Sequence, residues 1–351
     1  VHKTIQVQEN ISLAPLTTLK IGGNARLFVK AESEEQAVSA VKFAVENDFE
    51  LFVLGGGSNV LISDKGFDGL VLHIALKGIE FGAEKDGIVK VTACAGEDWD
   101  EFVKICVEKN LQGLECLSGI PGFVGGTPVQ NVGAYGQEVS ETISTVRVFD
   151  RKSGELLELT NSDCKFSYRT SIFNSTEKNR FIVLAVTFLL KQNGEPKIAY
   201  KDLREYFSGK TPDLGETRKA ILQIRSAKSM VIDENDINSR SAGSFFKNPI
   251  VSNEKLEKIK ESSDCEVPFF PFDAENVKIP AAWLIENSGF YKGFKKGNIG
   301  LSENHPLAIV NFANAGSADV IDLKNLIQQN VHEKFGIDLI PEPVFVGFFP
   351  A

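Results

Sequence analysis

Two apolar, glycine-rich segments constrain this chain more than any other feature. GGGSNVL (Gly55–Leu61) follows the short apolar run LFVL (Leu51–Leu54), and GIPGFVGGTPVQNVGAYG fills Gly119–Gly136. Glycine lets a backbone adopt positive φ and approach a ligand closely. Successive N–H groups in such a turn form an anion-binding nest suited to a pyrophosphate. No GK[ST] follows the first segment, so it is not a Walker loop. It does not open a helix as G-x-G-x-x-G, so a Rossmann reading also fails. A plain glycine-rich turn stays open as the alternative, as does a surface Ω-loop for the second segment. The second is too long and too apolar for a linker, which predicts an ordered binding loop. Gly119, Gly122, Gly125 and Gly126 would admit the ligand's backbone contacts, and Gln130 and Asn131 could each offer a donor and an acceptor to a ring edge. Two such loops point to a cofactor with a pyrophosphate and a flat ring system.

The remaining composition narrows the chemistry. The five cysteines are odd in number and lack C-x-x-C spacing, and the four histidines are scattered. Metal sites and disulfide frameworks are poorly supported, so hard chemistry must come from carboxylates, Arg, Ser or a borrowed cofactor. A net charge of −9 disfavours a general nucleic-acid binder. The cleanest apolar run, Phe181–Leu190, is about half of the ~20 residues a spanning helix needs. With no apolar signal region at VHKTIQVQEN, a cytoplasmic chain without a membrane span is expected. Its 351 residues suggest roughly two domains.

Local patterns predict α+β architecture. Ser33 opens a capping box with Gln36, ahead of a stripe of Ala37, Val38, Val41, Ala44 and Val45. Asp98 caps a second helix carrying Trp99, Phe102, Val103, Cys106 and Val107 on one face. Strands are expected at Leu51–Leu54, Leu70–Ala75 and Ile88–Ala95, with a hairpin from Ile143–Asp150 and Glu155–Thr160 and a central strand at Phe181–Leu190. SGKTPDLGE marks a boundary, giving divisions at 1–75, 76–212 and 213–351. After it come a basic helix (Thr217–Lys228), a charged helix (Asn253–Ser262), a long helix (Ala318–Phe335) and a terminal strand (Ile337–Val346) that returns to the site.

TTLKIGGNA (Thr17–Ala25), the two glycine segments, YRTSIF (Tyr168–Phe173), SAGSFFKNP (Ser241–Pro249), the stretch from PAAWLIENSGF to LSENHPLAIVN, and PEPVFVG together resemble the UDP-N-acetylenolpyruvoylglucosamine reductase (MurB) family, in the form with a longer, tyrosine-bearing loop. The resemblance spans most of the chain. It implies an FAD-binding lobe of the vanillyl-alcohol-oxidase type over about 17–190 and a C-terminal substrate domain. It also implies reduction of FAD by NADPH, then of UDP-N-acetylglucosamine enolpyruvate to UDP-N-acetylmuramate. Peptidoglycan synthesis, cell-wall biogenesis, cell shape and the division cycle come with it, as does a monomer. Its cofactor residues map onto Gly55, Gly56, Gly57, Ser58, Asn59, Gly119, Ile120, Pro121, Gly122, Gly125, Gly126, Gln130, Asn131, Gly133 and Ala134. Tyr200, Lys228 and Asn248 resemble its ligands for the nucleotide sugar.

The catalytic residues it implies also make chemical sense. Hydride addition to an enolpyruvyl ether leaves charge on the carbon beside the carboxylate, and a site must stabilise that charge where it grows. Arg169 could grip the carboxylate and Ser244 could deliver the proton. Glu342 would polarise Ser244 or a water, or assist enol formation. The family's Glu-Pro-Glu is here Leu339-Ile340-Pro341-Glu342, so one carboxylate remains. Each has a plainer reading as a surface charge, a turn residue and a solvated Glu. Trp283 is expected in the core, and His305 at the cleft without a catalytic role. Two alternatives remain open at this stage: another FAD oxidoreductase of the same fold acting on a different alcohol or sugar, and a non-enzymatic nucleotide binder.

Overall fold

The computed structural model describes residues 5–348, so His2 lies outside the described residues. The first helix, Glu34–Glu46, starts where its cap dictates. Ser33 Oγ accepts from the Gln36 N–H at 3.2 Å, while the Gln36 side chain accepts from the Glu32 N–H at 2.7 Å rather than from that of Ser33. Its buried face is Ala37, Ala40, Val41 and Ala44. Val45, expected in the stripe, is 66% exposed, because it stands one step of about 100° beyond Ala44. The helix connects parallel strands Asn24–Ala31 and Leu51–Leu54, with Phe67–Ile74 paired between them. Alternation along the first of these sends Leu27, Val29 and Ala31 into a core shared with the helix.

That core continues into a larger antiparallel sheet. Strand Phe181–Gln192 sits at its centre, between Ile143–Asp150 and Ile88–Cys94. Residues 182–188 are all buried, which explains a continuous apolar run without alternation. Helix Trp99–Glu108, capped by Asp98 through the Glu101 N–H at 3.0 Å, buries the five residues its sequence marked. Trp99 and Phe102 pack on Phe188, and the Trp99 indole donates to the Leu117 carbonyl at 3.0 Å.

The edge hairpin is fastened by charge. Arg180 donates Nε and Nη2 to the two Asp150 carboxylate oxygens at 3.0 and 2.7 Å, and the Asp150 carboxyl is held down at about 2 chiefly by those bonds. A depressed carboxyl pKa contributes stability above its unfolded value near 4 and loses it as pH falls through the folded one. Asp150→Asn is therefore expected to cost about 1–2 kcal/mol at pH 7, after allowing for solvent screening at part-exposed Arg180. The gap to the parent should close below about pH 2–3, read from urea unfolding across pH.

The C-terminal part has its own sheet of Ser241–Ser244, Ala308–Asn311, Ile299–Leu301 and Lys295–Lys296. Helix Ser317–Phe335 covers it, and Trp283 packs on Phe335. Leu19, Ile21 and Leu61 join this second core, so the two halves interlock. Two expectations change here. Helix Leu214–Ala227 packs back onto the residues before it: Leu214 enters the first core, and Ala220 and Ile221 meet Cys116 and Leu203. The expected strand Ile337–Val346 is a strand only at Val344–Val346, paired in parallel with Val60–Ile62. Pro341 and Pro343 lack the N–H a longer ladder needs. This short pairing carries Glu342 to the end of the first glycine loop.

Candidate active site

A cavity of about 920 Å³ opens where the two cores meet. The glycine segments form one wall by touching each other. A Cβ on Gly56 would lie 2.7 Å from Gly122 Cα, and one on Gly57 (φ +64°) would lie 1.9 Å from the Leu16 carbonyl oxygen. Ser58 Oγ donates to the Pro121 carbonyl at 2.9 Å and ties the loops together. Residues 55–59, Ile120, Pro121, Gly122, Gly126, Gln130, Gly133 and Ala134 all face this space.

Three of the expected cofactor residues do not face it. Gly119 holds φ +72°, with Leu222 2.9 Å from where a Cβ would stand, and Gly125 leaves 2.5 Å for a Cβ beside that of Ala95. Asn131 is buried, and its amide donates to Glu138 Oε2 at 2.8 Å and the Ser167 carbonyl at 3.1 Å and accepts from the Ser140 N–H. These three residues are taken up by contacts within the protein. Gly56→Val is expected to yield a chain that loses on the order of 100-fold in FAD affinity, about 2.7 kcal/mol, because the Gly122 backbone cannot yield. Flavin absorbance after reconstitution measures the loss, and circular dichroism checks that the fold persists.

Arg169, Ser244 and Glu342 meet in the same cavity from three distant segments. Arg169 has a left-handed backbone (φ +53°) in a tight turn bridged between Ser167 and Thr170. Its Nη2 donates to the Gly133 carbonyl at 2.8 Å. Its Nε lies 3.4 Å from Glu342 Oε1 but is too poorly aligned to bond, so this buried N–H has no acceptor. Glu342 is fixed by its own N–H on the Phe245 carbonyl at 2.9 Å, and Oε1 accepts from Gln130 Nε2 at 3.3 Å. Asn59 donates to Gln130 Oε1, which turns the Gln130 amide nitrogen toward Glu342. Burial pushes the Glu342 carboxyl up, opposed by Arg169 and Lys247. Glu342 thus bonds Gln130, not Ser244. Ser244 Oγ instead lies 3.4 Å from His305 Nε2.

Tyr200 and Lys228 also line the cavity. Tyr200 stacks edge-on against Tyr135 with ring centres 5.5 Å apart, and Lys228 Nζ donates to Asp202 at 2.8 Å. Asn248 does not reach the cavity, because its Oδ1 accepts from the Ala281 N–H at 2.9 Å at the start of helix Ala281–Glu286. Sequence reasoning missed Arg225. This buried side chain faces the cavity and donates Nη2 to the Met230 carbonyl at 2.7 Å, while its Nε–H has no acceptor. Its place four residues after Ile221, on the buried stripe of helix Leu214–Ala227, was a legible signal. Arg169, Lys178, Arg225, Lys228 and Lys247 line the cavity against one carboxylate, Glu342. An acidic chain therefore presents a positive cleft suited to anionic ligands. Among the described residues there is no cluster that could hold a metal ion, and no helix long and apolar enough to cross a membrane.

Gly55 and Gly126 leave the backbone open toward the cavity, beside the lining cations Arg169, Arg225 and Lys228, and this combination fits a dinucleotide. Residues 25–160 match the family model of an FAD binding domain, and 235–346 match that of the UDP-N-acetylenolpyruvoylglucosamine reductase C-terminal domain. The chain is thus an FAD-dependent oxidoreductase. The UDP-N-acetylenolpyruvoylglucosamine reductase of Streptomyces coelicolor is 41% identical to it, over 98% of this chain and 91% of the relative. That of Saccharopolyspora erythraea is 43% identical, over 95% and 94%. The crystal structure of MurB from Thermus caldophilus shares the fold with a TM-score of 0.66 at 24% identity, covering 97% of this chain and 99% of that one. The chain belongs to the UDP-N-acetylenolpyruvoylglucosamine reductase family.

Proposed function

We propose that this chain reduces UDP-N-acetylglucosamine enolpyruvate to UDP-N-acetylmuramate for peptidoglycan synthesis, with FAD as cofactor and NADPH as reductant. The observation that carries this reading is the meeting of Arg169, Ser244 and Glu342 in a cavity walled by the glycine loops. The chemistry that bound FAD would supply is hydride transfer between the nicotinamide and the enolpyruvyl double bond. Gly55–Asn59, Ile120–Gly122, Gly126, Gln130, Gly133 and Ala134 would hold the cofactor, on a lobe of residues 17–190 braced by helix Leu214–Ala227.

The chain's own groups do the rest. Arg169 binds the substrate carboxylate with the part of its guanidinium that faces the cavity, and so stabilises charge spreading into that carboxylate. Ser244 O–H delivers the proton to the adjacent carbon. Glu342, turned by Gln130, sets the position of Arg169 and shares in stabilising the enol form. Lys228, Arg225 and Tyr200 bind the anionic nucleotide portion.

Anaerobic spectroscopy tests the reading. NADPH should bleach the yellow protein, and UDP-N-acetylglucosamine enolpyruvate should then restore the flavin absorbance. Bleaching with no recovery on adding this substrate would reject the function and leave another FAD oxidoreductase.

A further inference from the structure

His305 faces the cavity and takes no part in the chemistry described so far. Sheet pairing brings it there: Ser244 pairs with Ala308, so the turn before strand Ala308–Asn311 places the imidazole beside the serine. Nε2 lies 3.4 Å from Ser244 Oγ, and distances of this kind tighten when substrate binds. Burial, followed by Lys228, Arg225 and Lys292, pushes the imidazole pKa down to about 4. At pH 7 the ring is neutral and carries one N–H. A neutral imidazole is a poor source of protons but a good hydrogen-bond donor in a site where negative charge develops.

We propose that His305 is the positioning residue for Ser244, donating its Nε2–H to Oγ. This rests on the reading of Ser244 as the proton donor. With Oγ occupied as an acceptor, the serine O–H is free to point into the cavity. As that O–H bond breaks and a C–H bond forms beside the substrate carboxylate, the electron pair stays on Oγ. The Nε2–H stabilises this alkoxide until water returns a proton. No other reactant is required. The opposite tautomer, with Nε2 as acceptor, would draw the serine proton away from the substrate.

The test uses the FAD-loaded enzyme and compares the two half-reactions by stopped flow. His305→Leu should slow flavin reoxidation by substrate about 100-fold, the effect of deleting one donor to a developing oxyanion. That loss should exceed any loss in reduction by NADPH at least tenfold. His305→Gln keeps an N–H donor and should stay within about tenfold of the parent. In a Ser244→Ala background, His305→Leu should add little, since its partner is gone. Equal losses for Leu and Gln, equal losses in both half-reactions, or full additivity would overturn the proposal. A slow Ser244→Ala beside an unimpaired His305→Leu would reject the role of His305 alone. An unimpaired Ser244→Ala would reject the reading of Ser244 and the proposal with it. Independently of activity and of whether the leucine variant folds, nitrogen-15 NMR of histidine-labelled protein should show a neutral Nε2–H tautomer from pH 5 to 8. An Nδ1–H tautomer or an imidazolium at pH 7 would overturn it.

Discussion

Ser244→Ala is expected to leave an enzyme that NADPH still bleaches but that substrate reoxidises at least 1,000-fold more slowly. Positioned proton transfer contributes typically 10²–10⁴-fold, and alanine has no O–H to deliver. Glu342 bonds Gln130 and approaches Arg169, while His305 is neutral. The replacement removes one oxygen from a half-buried position, so the fold and the glycine cradle should be unaffected. Stopped-flow absorbance of the two half-reactions reads the split. A solvent deuterium isotope effect on parental reoxidation should accompany it. Equal loss in both half-reactions would place Ser244 in binding rather than in proton delivery.

Arg169→Met should be as damaging for a different reason. The guanidinium is the cation nearest Glu342 and, on the proposed reading, the clamp on the substrate carboxylate. Losing a preorganised charged donor costs about 10²–10³-fold in rate. It also leaves Glu342 buried with only Lys247 opposing its desolvation, so its carboxyl, already raised, must rise further. Breaking a buried pair on one side costs about 3–5 kcal/mol at most, less here because Arg169 retains some solvent contact. A raised carboxyl pKa makes the folded state less stable above its unfolded value, so the penalty should grow as pH rises above about 4 and shrink below it. Unfolding midpoints across pH check the sign. Arg169→Lys should recover little of the rate, because an ammonium cannot reproduce the fork that spans Gly133 and the substrate.

The elements that the sequence marked share a local cause. The caps at Ser33 and Asp98 bond to backbone three residues on, and the Trp99–Val107 stripe repeats within one helix. The strand Phe181–Gln192 shows as an apolar run because both faces are buried. The glycine segments were legible because a backbone that must approach another backbone segment closely admits no Cβ. Motif resemblance added Arg169, Ser244 and Glu342, and the fold brought all three to one cavity.

What the sequence could not rank was which polar or glycine residue in a marked segment faces the cavity. Gly56 meets Gly122, whereas Gly119 and Gly125 meet Leu222 and Ala95, and Asn131 is consumed by Glu138 and Ser167. Asn248 became a partner for the Ala281 N–H, and Arg225 turned out to be a cavity cation. The sequence by itself determined the capped helices, the buried strands, the places where the backbone must come close, and the family. Only the tertiary structure decided that Gln130 turns toward Glu342 and that Ser244 lies beside His305. Those outcomes depend on contacts between residues far apart in the chain, where a hydrogen bond's partner is set by packing and no local period records it.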